Sequence, residues 1–465
     1  MKRSFVLMVW LWAGLFLSAQ AQTTSEPKNR LEGYPDFEFR RAREDYGFLA
    51  NRSLKNFWES LKYISLGQNP DAYLSLGGDI RSEFQVIQNL DWDEANDDDG
   101  VLFQRFMFHL DLHLGKHFRL FGQLKNGFMV DRNAENSPLD TDEIDVHQLF
   151  ATIQLGSTRL EVGRRELWYG SRRLISIREG TNIRQSFDGA RWIWQKPQHR
   201  FDALFYYYNP QQMMAFDNGF DNNNRLWGGY YVWNVTPDKK LNFDFYYLGV
   251  QNETTRFESG NDRETRHSVG FRHWGKMGKL RYNNEALFQF GRFGNQSISA
   301  WTASSEIYYT LVQDHLSPTL GLKVDIVSGD ESPNDGVMQT FNPLYPRGGY
   351  FGLLALIGPA NLIDLHPSFQ ISFGERWEFS FDWDFFWRYS TQDGIYFPSG
   401  RLNVASQGSQ QKFIGHQIGG EVVFKVNRFL ELETSCFYFT TGGFLNEVTS
   451  GADILQLGAS MNFKF

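Results

Sequence analysis

Arginine is the residue type in this sequence that is best placed to bind an anion. Arg172, Arg173, Arg178 and Arg184 all fall between Tyr169 and Ser186. A guanidinium binds carboxylate or phosphate through two parallel hydrogen bonds. The stretch therefore predicts an anion-binding segment, which either folds inward as a constriction or stays solvated and holds surface phosphates.

Histidine is the second residue type that could do chemistry. His109, Asp111 and His113 would share one face of a strand, but such neighbours lie about 6.8 Å apart, too far for easy joint ligation at about 2.1 Å. The other histidines are scattered, and no serine stands in a recognisable nucleophile context. The sequence therefore predicts no metal site, no cofactor and no catalytic residue, and an enzyme is the minor alternative.

The elements that must position these residues are β-strands. Trp377 to Arg388 places six large aromatic side chains on one face and mainly charged or polar ones on the other. The segments from Leu74 to Val86 and from Phe106 to Leu114 repeat the pattern. Such aromatic stripes need an apolar solvent or a second sheet to cover them.

The number and spacing of the strands favour the apolar solvent. Reading the alternation along the chain gives about 18 candidate strands between Tyr73 and Phe465, each about 9 to 14 residues long. Short connections alternate with long ones, as periplasmic turns and extracellular loops do, except around Phe293 to Gln296. The long connections are Asp91 to Gly100, Asp131 to Asp145, Tyr169 to Ser186, Asn209 to Asn223, Gln251 to Asp262, Ser328 to Asn361, Thr391 to Gln411 and Thr441 to Gly451. The predicted fold is all-β: a transmembrane antiparallel up-and-down barrel of 18 strands over residues 72–465, in a bacterial outer membrane.

If the aromatic faces contact lipid, the opposite faces line the pore. The predicted basic lining residues, from the first ten strands, are Arg81, Arg105, Arg119, Lys125, Arg165, Arg191, Arg225, Arg266 and Arg272. The predicted acidic lining residues are Asp79, Glu83, Glu285, Glu306, Asp325, Asp364, Glu378, Asp382, Asp384, Glu421, Glu431 and Glu433. Two interpretations stay open: a basic wall that attracts carboxylates faces an acidic wall, or the opposed charges pair and stiffen the barrel.

The N-terminal residues and the composition limit which compartment and which partners the protein can have. Lys2 and Arg3, the apolar run from Phe5 to Phe16 and the small residues around Ala21 predict a cleaved signal peptide over residues 1–21. Residues 22–71 would form a periplasmic or lumen-associated segment, which could plug the pore. Removing the signal peptide changes the formal charge from −8 to −10, which argues against a nucleic-acid partner. One cysteine excludes an internal disulfide.

A set of short motifs, in this order and spacing, resembles the alginate export porins of the outer membrane. The resemblance runs from near Arg43 to the C-terminus. Its parts are Leu74 to Arg81, Gly163 to Leu167, Tyr169 to Ile175, Phe187 to Arg191, Ser328 to Asp330, Phe341 to Pro346 and Gly442 to Leu445.

The resemblance implies a monomeric 18-stranded barrel whose charged lumen passes a polyuronate. The best-known exporters carry a long periplasmic loop near the C-terminus, whereas this sequence has the tight connection Lys425 to Arg428. The predicted function is thus a channel for polar or anionic saccharides, alginate-like by resemblance, with a general diffusion porin as the alternative. The expected partners are the saccharide, outer-membrane lipid and lipopolysaccharide, with room for periplasmic proteins.

Overall fold

The alternating segments form one closed sheet. The computed structural model describes residues 37–52, 55–94, 99–130, 137–313, 316–349, 351–352 and 354–465, with only the backbone of Asp99. The predicted signal peptide and residues 22–36 of the predicted N-terminal segment lie outside the described residues.

Eighteen long strands build the barrel. They are β1 Ala72–Gln88, β2 Asp99–Leu114, β3 Phe118–Val130, β4 Asp142–Leu155, β5 Thr158–Arg165, β6 Ser186–Gln195, β7 His199–Asn209, β8 Asn224–Asn234, β9 Asn242–Phe257, β10 Gly260–Met277, β11 Leu280–Phe293, β12 Gln296–Thr310, β13 Thr319–Val327, β14 Leu362–Phe373, β15 Trp377–Arg388, β16 Phe413–Lys425, β17 Leu430–Thr441 and β18 Ile454–Lys464. Each pairs antiparallel with the next, and β18 pairs with β1 from Asp79–Lys464 to Gln88–Leu455. The predicted 18-stranded antiparallel barrel is confirmed.

The remaining elements are short. Ile64–Ser65 pairs with the start of β1, Val337–Met338 pairs with the start of β12, and Ile395–Tyr396 pairs with Leu402–Val404. The two α-helices are α1 Phe57–Lys62 and α2 Gly443–Val448, and the 3₁₀ turns are Arg41–Arg43, Gly47–Asn51 and Leu90–Trp92. Among the described residues, no helix is both long and apolar enough to cross a membrane.

The burial pattern of β15 shows which face meets which solvent. Phe381 and Trp383 point outward and are 45% and 38% exposed, whereas Asp384 and Arg388 point inward and are fully buried. Rings on the outside and charges on the inside suit a barrel surrounded by hydrocarbon. A buried apolar cluster that includes Phe341 lies between the inner face and the long loops.

The connections follow the predicted alternation with one correction. The predicted long connection from Gln251 to Asp262 is wrong: β9 and β10 continue to Phe257 and Gly260 and are joined by a tight turn. Hydrophobic alternation marks only the part of a strand that faces lipid, so polar strand ends that keep pairing beyond the membrane leave no such signal. The tight connection after Lys425 is present.

Candidate functional site

The loop between β5 and β6, residues 166–185, is anchored on the far wall of the barrel through Arg173. Its guanidinium pairs with Asp325 on β13 and lies 3.6 Å from Glu285 on β11 and 3.8 Å from Glu306 on β12. Burial alone would lower the pKa of Arg173, but the three carboxylates outweigh burial and raise it above its ordinary value. Arg173 is therefore a fixed ionic anchor.

The same loop is anchored on the opposite wall through Glu179. Its carboxylate accepts a hydrogen bond of 2.5 Å from Arg105 on β2 and lies 3.8 Å from Arg81 on β1. Arg184, at the end of the loop, also pairs with Glu179 and lies 3.3 Å from Glu166. Because β1 and β2 stand across the barrel from β11–β13, the loop crosses the lumen. Arg173 and Arg184 are thus inside the barrel, where neither can reach lipopolysaccharide.

The loop between β13 and β14, residues 328–361, joins the first loop inside the lumen. Their backbones form a parallel bridge between Ile175 and Tyr345, and the amide of Tyr345 donates to the carbonyl of Leu174 at 2.9 Å. Farther along, the amide of Arg347 donates to the carbonyl of Arg172 at 3.1 Å. The two loops therefore act as one internal partition.

The partition separates two cavities of the lumen. The first, of about 380 Å³, is bordered by β1, β2, β17, β18 and both loops. The second, of about 570 Å³, is bordered by β10–β14 and by the turn that carries Lys239. Arg172 and Arg347 line both cavities, so they stand where a solute would pass from one to the other.

Arg172 and Arg347 differ from the other loop arginines in their partners. Among the described residues, neither has a carboxylate within ion-pair distance. The Arg172 guanidinium lies 4.6 Å from the ring centre of Trp168, and that of Arg347 donates to the carbonyl of Gly349 at 2.9 Å. Burial, followed by the charge of Arg347, lowers the pKa of Arg172 to about 10. Two like charges with no acid within ion-pair distance among the described residues form a place that an anion would stabilise.

The backbone of the partition bends at the same place. Arg172 has a φ of 68° and Arg178 a φ of 55°. Residues other than glycine are uncommon in this left-handed region, and they gather at functional sites. Arg178 is half-buried beside the backbone of Gly348 and has no carboxylate partner among the described residues.

An acidic surface faces the first cavity. Glu431 and Glu433 on β17 line it, and neither has a basic partner in the part of the chain that the structure describes. Glu83 also lines it but lies 3.3 Å from Arg81. The unpaired acids on β17 and the unpaired arginines of the partition thus give the narrow part of the lumen a charge difference from side to side.

Most residues of the predicted basic wall form ion pairs with acids on the same strand or on a neighbouring strand. Arg119 makes two hydrogen bonds of 2.6 Å to Asp111. The other pairs are Lys125 with Asp142, Arg165 and Arg191 with Glu161, Arg266 with Glu264, and Arg272 with Asp244. Of the nine predicted basic residues, Arg81 and Arg105 line the first cavity and Arg272 the second. Arg119, Lys125, Arg165, Arg191 and Arg266 face inward in these local pairs.

The prediction that Arg225 lines the pore is wrong. In β8, Leu226 and Tyr230 are buried on the inner face, so Arg225 shares the outer face with Trp233, which is 38% exposed. Its guanidinium donates to the carbonyl of Asn222 at the end of the strand. The inner face of β8 is apolar and aromatic. Hydrophobicity alone therefore assigned the lipid-facing residues of this strand to the lumen and the lumen-facing residues to lipid.

The predicted acidic residues lie on the inner face. Asp79 and Glu83 line the first cavity and Glu306 the second. Glu285 and Asp325 are held by Arg173, and Glu378 accepts from Gln370. Asp382 and Asp384 lie beside His366, a contact that the sequence analysis missed because no spacing rule connects β14 to β15.

The described part of the predicted N-terminal segment reaches the same partition. The ring of Phe39 packs on Trp168 with 5.8 Å between the ring centres. The Arg40 guanidinium lies 5.0 Å from the ring centre of Trp168. Arg41 donates to the carbonyls of Gly78 and Phe465 at 2.8 and 2.7 Å. Residues 38–41 thus lie at the edge of the first cavity.

Comparisons with known proteins agree with this architecture. The alginate export family matches residues 72–453. The outer-membrane protein OpdK of Pseudomonas aeruginosa superposes with a TM-score of 0.59 at 11% identity, covering 86% of this chain and all of that one. OccAB4 of Acinetobacter baumannii gives 0.56 at 10% identity, covering 84% and 97%. OccK2 (OpdF) of P. aeruginosa, solved in complex with glucuronate, gives 0.55 at 10% identity, covering 84% and 98%.

None of the proteins with curated functions matches this sequence. The structural neighbours are porins with the same fold, and the family match spans almost the whole barrel. The protein is a β-barrel channel of the bacterial outer membrane for small solutes, and it belongs to the alginate export family.

Proposed function

We propose that this channel passes saccharides that carry carboxylates, uronate oligomers above all. The observation that carries the proposal is the pair Arg172 and Arg347, which stands between the two cavities and has no carboxylate partner among the described residues. A solute carboxylate can form two parallel hydrogen bonds with either guanidinium without first breaking an existing ion pair. Passage then needs each contact to be weak enough to release.

The second cavity supplies donors and aromatic rings together. The Arg272 guanidinium lies 4.9 Å from the ring centre of Trp274, and that of Arg281 lies 4.3 Å from Tyr308. All four side chains line this cavity. A sugar acid offers a carboxylate for the Arg281 guanidinium, which has no acid partner among the described residues, and apolar ring edges for the aromatic surfaces. This combination favours a uronate over a small inorganic anion.

The neighbours support an anionic solute. OpdK has been solved with vanillate and OccK2 with glucuronate, and both ligands are carboxylates. The local pairing of most lumen arginines favours the second candidate, a general diffusion porin, because paired charges attract little. The two candidates differ in what they predict for neutral sugars.

Planar-bilayer conductance distinguishes them. A trimer of galacturonate should interrupt the current at a concentration at least tenfold below that of an uncharged trisaccharide of the same size. Equal interruption by both trimers, or none by either, would favour the general porin and refute the uronate channel.

A further inference from the structure

A histidine and several carboxylates meet on the inner face of β13, β14 and β15. The strand register places Asp325 directly opposite Asp364. The Nδ1 atom of His366 contacts Asp384 on the next strand, and its Nε2 atom lies 3.9 Å from Asp382. One ligand atom from each of Asp364, His366 and Asp384 lies within 4.8 Å of the other two. These three residues are called the inner triad below.

Asp364 is the least satisfied member of the inner triad. Its side chain is fully buried, and among the described residues neither of its oxygens accepts a hydrogen bond. The ammonium of Lys323 lies 4.0 Å from the Asp364 carboxylate and also 3.8 Å from that of Asp325. A buried carboxylate without hydrogen bonds is costly unless a cation compensates it.

The charges around the inner triad leave a deficit of cations. Asp364, Asp382 and Asp384 lie near the three carboxylates that hold Arg173, which gives six acids in this region. Among the described residues, the groups within ion-pair distance of these six acids are the cations Arg173 and Lys323 and the imidazole of His366. Like charges directly opposed across a sheet destabilise it. A divalent cation would offset the remaining negative charge.

We propose that the inner triad binds a divalent transition metal, with Zn²⁺ as the ion that fits its donors best. Zinc accepts both imidazole nitrogen and carboxylate oxygen as ligands, whereas calcium or magnesium would favour oxygen alone. With His366 bound through Nδ1, its Nε2–H faces Asp382, and such a carboxylate fixes the orientation of a ligating histidine.

The proposed site is accessible from the lumen. His366 lines the second cavity and is 14% exposed, whereas Asp364 and Asp384 are fully buried behind it. Ions can therefore enter from the cavity, and a fourth coordination position is left for water. The donors come from two neighbouring strands, so the ion would also cross-link β14 to β15.

Calorimetric titration of the purified, chelator-treated barrel with zinc chloride in detergent tests this proposal. We expect one zinc ion per chain, and at least tenfold weaker binding in His366→Gln and in Asp384→Asn. The matched control is His416→Gln, because His416 lies on the outer face beside Trp383 and should leave the titration unchanged. Heat-modifiable migration in electrophoresis reports whether each variant is folded.

X-ray absorption at the zinc edge, measured on the wild-type barrel, gives a readout that needs no variant. Three or four nitrogen or oxygen neighbours are expected, together with the outer-shell scattering of a single imidazole ring. No binding, unchanged binding in both folded variants, or a shell containing sulfur or several imidazoles would each overturn the assignment.

Discussion

The main-chain amide of Arg347 donates to the carbonyl of Arg172, which ties together the two unpaired arginines of the partition. Each comes from a different loop, and each loop is fixed elsewhere by contacts of its own. Arg173 anchors one loop to three carboxylates, and Arg266 donates to the carbonyl of Thr340 in the other. The position of both guanidiniums is thus set by the folded loops, so the pair can bind an anion with little reorganisation.

Removing both guanidiniums should weaken uronate binding. A hydrogen bond to a charged group contributes about 1.5–3 kcal/mol, so Arg172→Ala with Arg347→Ala should raise the concentration of galacturonate trimer needed to interrupt current at least tenfold. The matched control is Arg225→Ala, which deletes an arginine on the outer face. Bilayer recordings that show the same shift for the control, or none for the double variant, would contradict the role of the pair.

Arg172 and Arg173 are neighbours with opposite tasks, and one pair of variants separates them. Arg173→Met removes the cation that Glu285, Glu306 and Asp325 share, which should cost about 3–5 kcal/mol of local stability and release the loop from β11–β13. We expect larger and noisier single-channel conductance. Arg172→Met should keep the conductance steady, because the Arg172 side chain forms no ion pair that holds the loop to the wall and the substitution keeps its main-chain carbonyl. Identical traces from the two variants would show that the anchor is misassigned.

Asp393 gives the loop between β15 and β16 a pH dependence. Burial raises the pKa of its carboxyl to about 6. Between the ordinary value and about 6 the folded state keeps a proton that the unfolded chain has lost. The free energy of unfolding should therefore fall by about 3 kcal/mol as pH rises through this window.

Thermal unfolding in detergent between pH 4 and pH 7 checks this dependence. The decrease in midpoint temperature with rising pH should be smaller in Asp393→Asn than in wild type. Glu375→Gln, which changes an exposed acid in a short turn, should behave as wild type. A midpoint that increases with pH specifically because of Asp393 would reverse the sign and refute the assignment.

Asn361 joins the two loops that flank β14 and β15. Its Nδ2 donates to the carbonyls of Ser390, Asp393 and Gly394 at 2.8–3.0 Å, and its Oδ1 accepts from the amide of Ser390 at 2.6 Å. Asn361→Ala should cost at least about 2 kcal/mol, because it leaves buried carbonyls unpaired at a residue with a φ of 49°. Trypsin should then cleave after Arg401 faster than in wild type or in the exposed control Asn222→Ala. Equal cleavage rates would count against this link.

The barrel could be predicted from the sequence because lipid imposes a simple rule. The outward rings of β15 alternate without interruption, and similar strands recur in an even number with turns of alternating length. The prediction was wrong where that rule does not apply. Arg225 stands opposite an inner face made of Leu226 and Tyr230, and the ends of β9 and β10 extend beyond the membrane.

The site was less accessible to sequence reasoning. The basic stretch from Arg172 to Arg184 was recognised, but nothing in it distinguishes the anchored Arg173 from the unpaired Arg172. That difference depends on the acids of β11–β13, more than a hundred residues away. The inner triad could not be predicted for the same reason, since His366 and Asp384 are brought together only by the register of neighbouring strands.

The crossing loop also has a consequence for assembly. Arg173 needs acids on one wall and Glu179 needs arginines on the opposite wall, so the two sets of contacts exist together only when the curved sheet brings these walls face to face across the lumen. We therefore expect the narrow passage to take its final form when the barrel closes. An unclosed intermediate would be a wide, unselective hole, which makes rapid closure in the cell a protective step as well as a structural one.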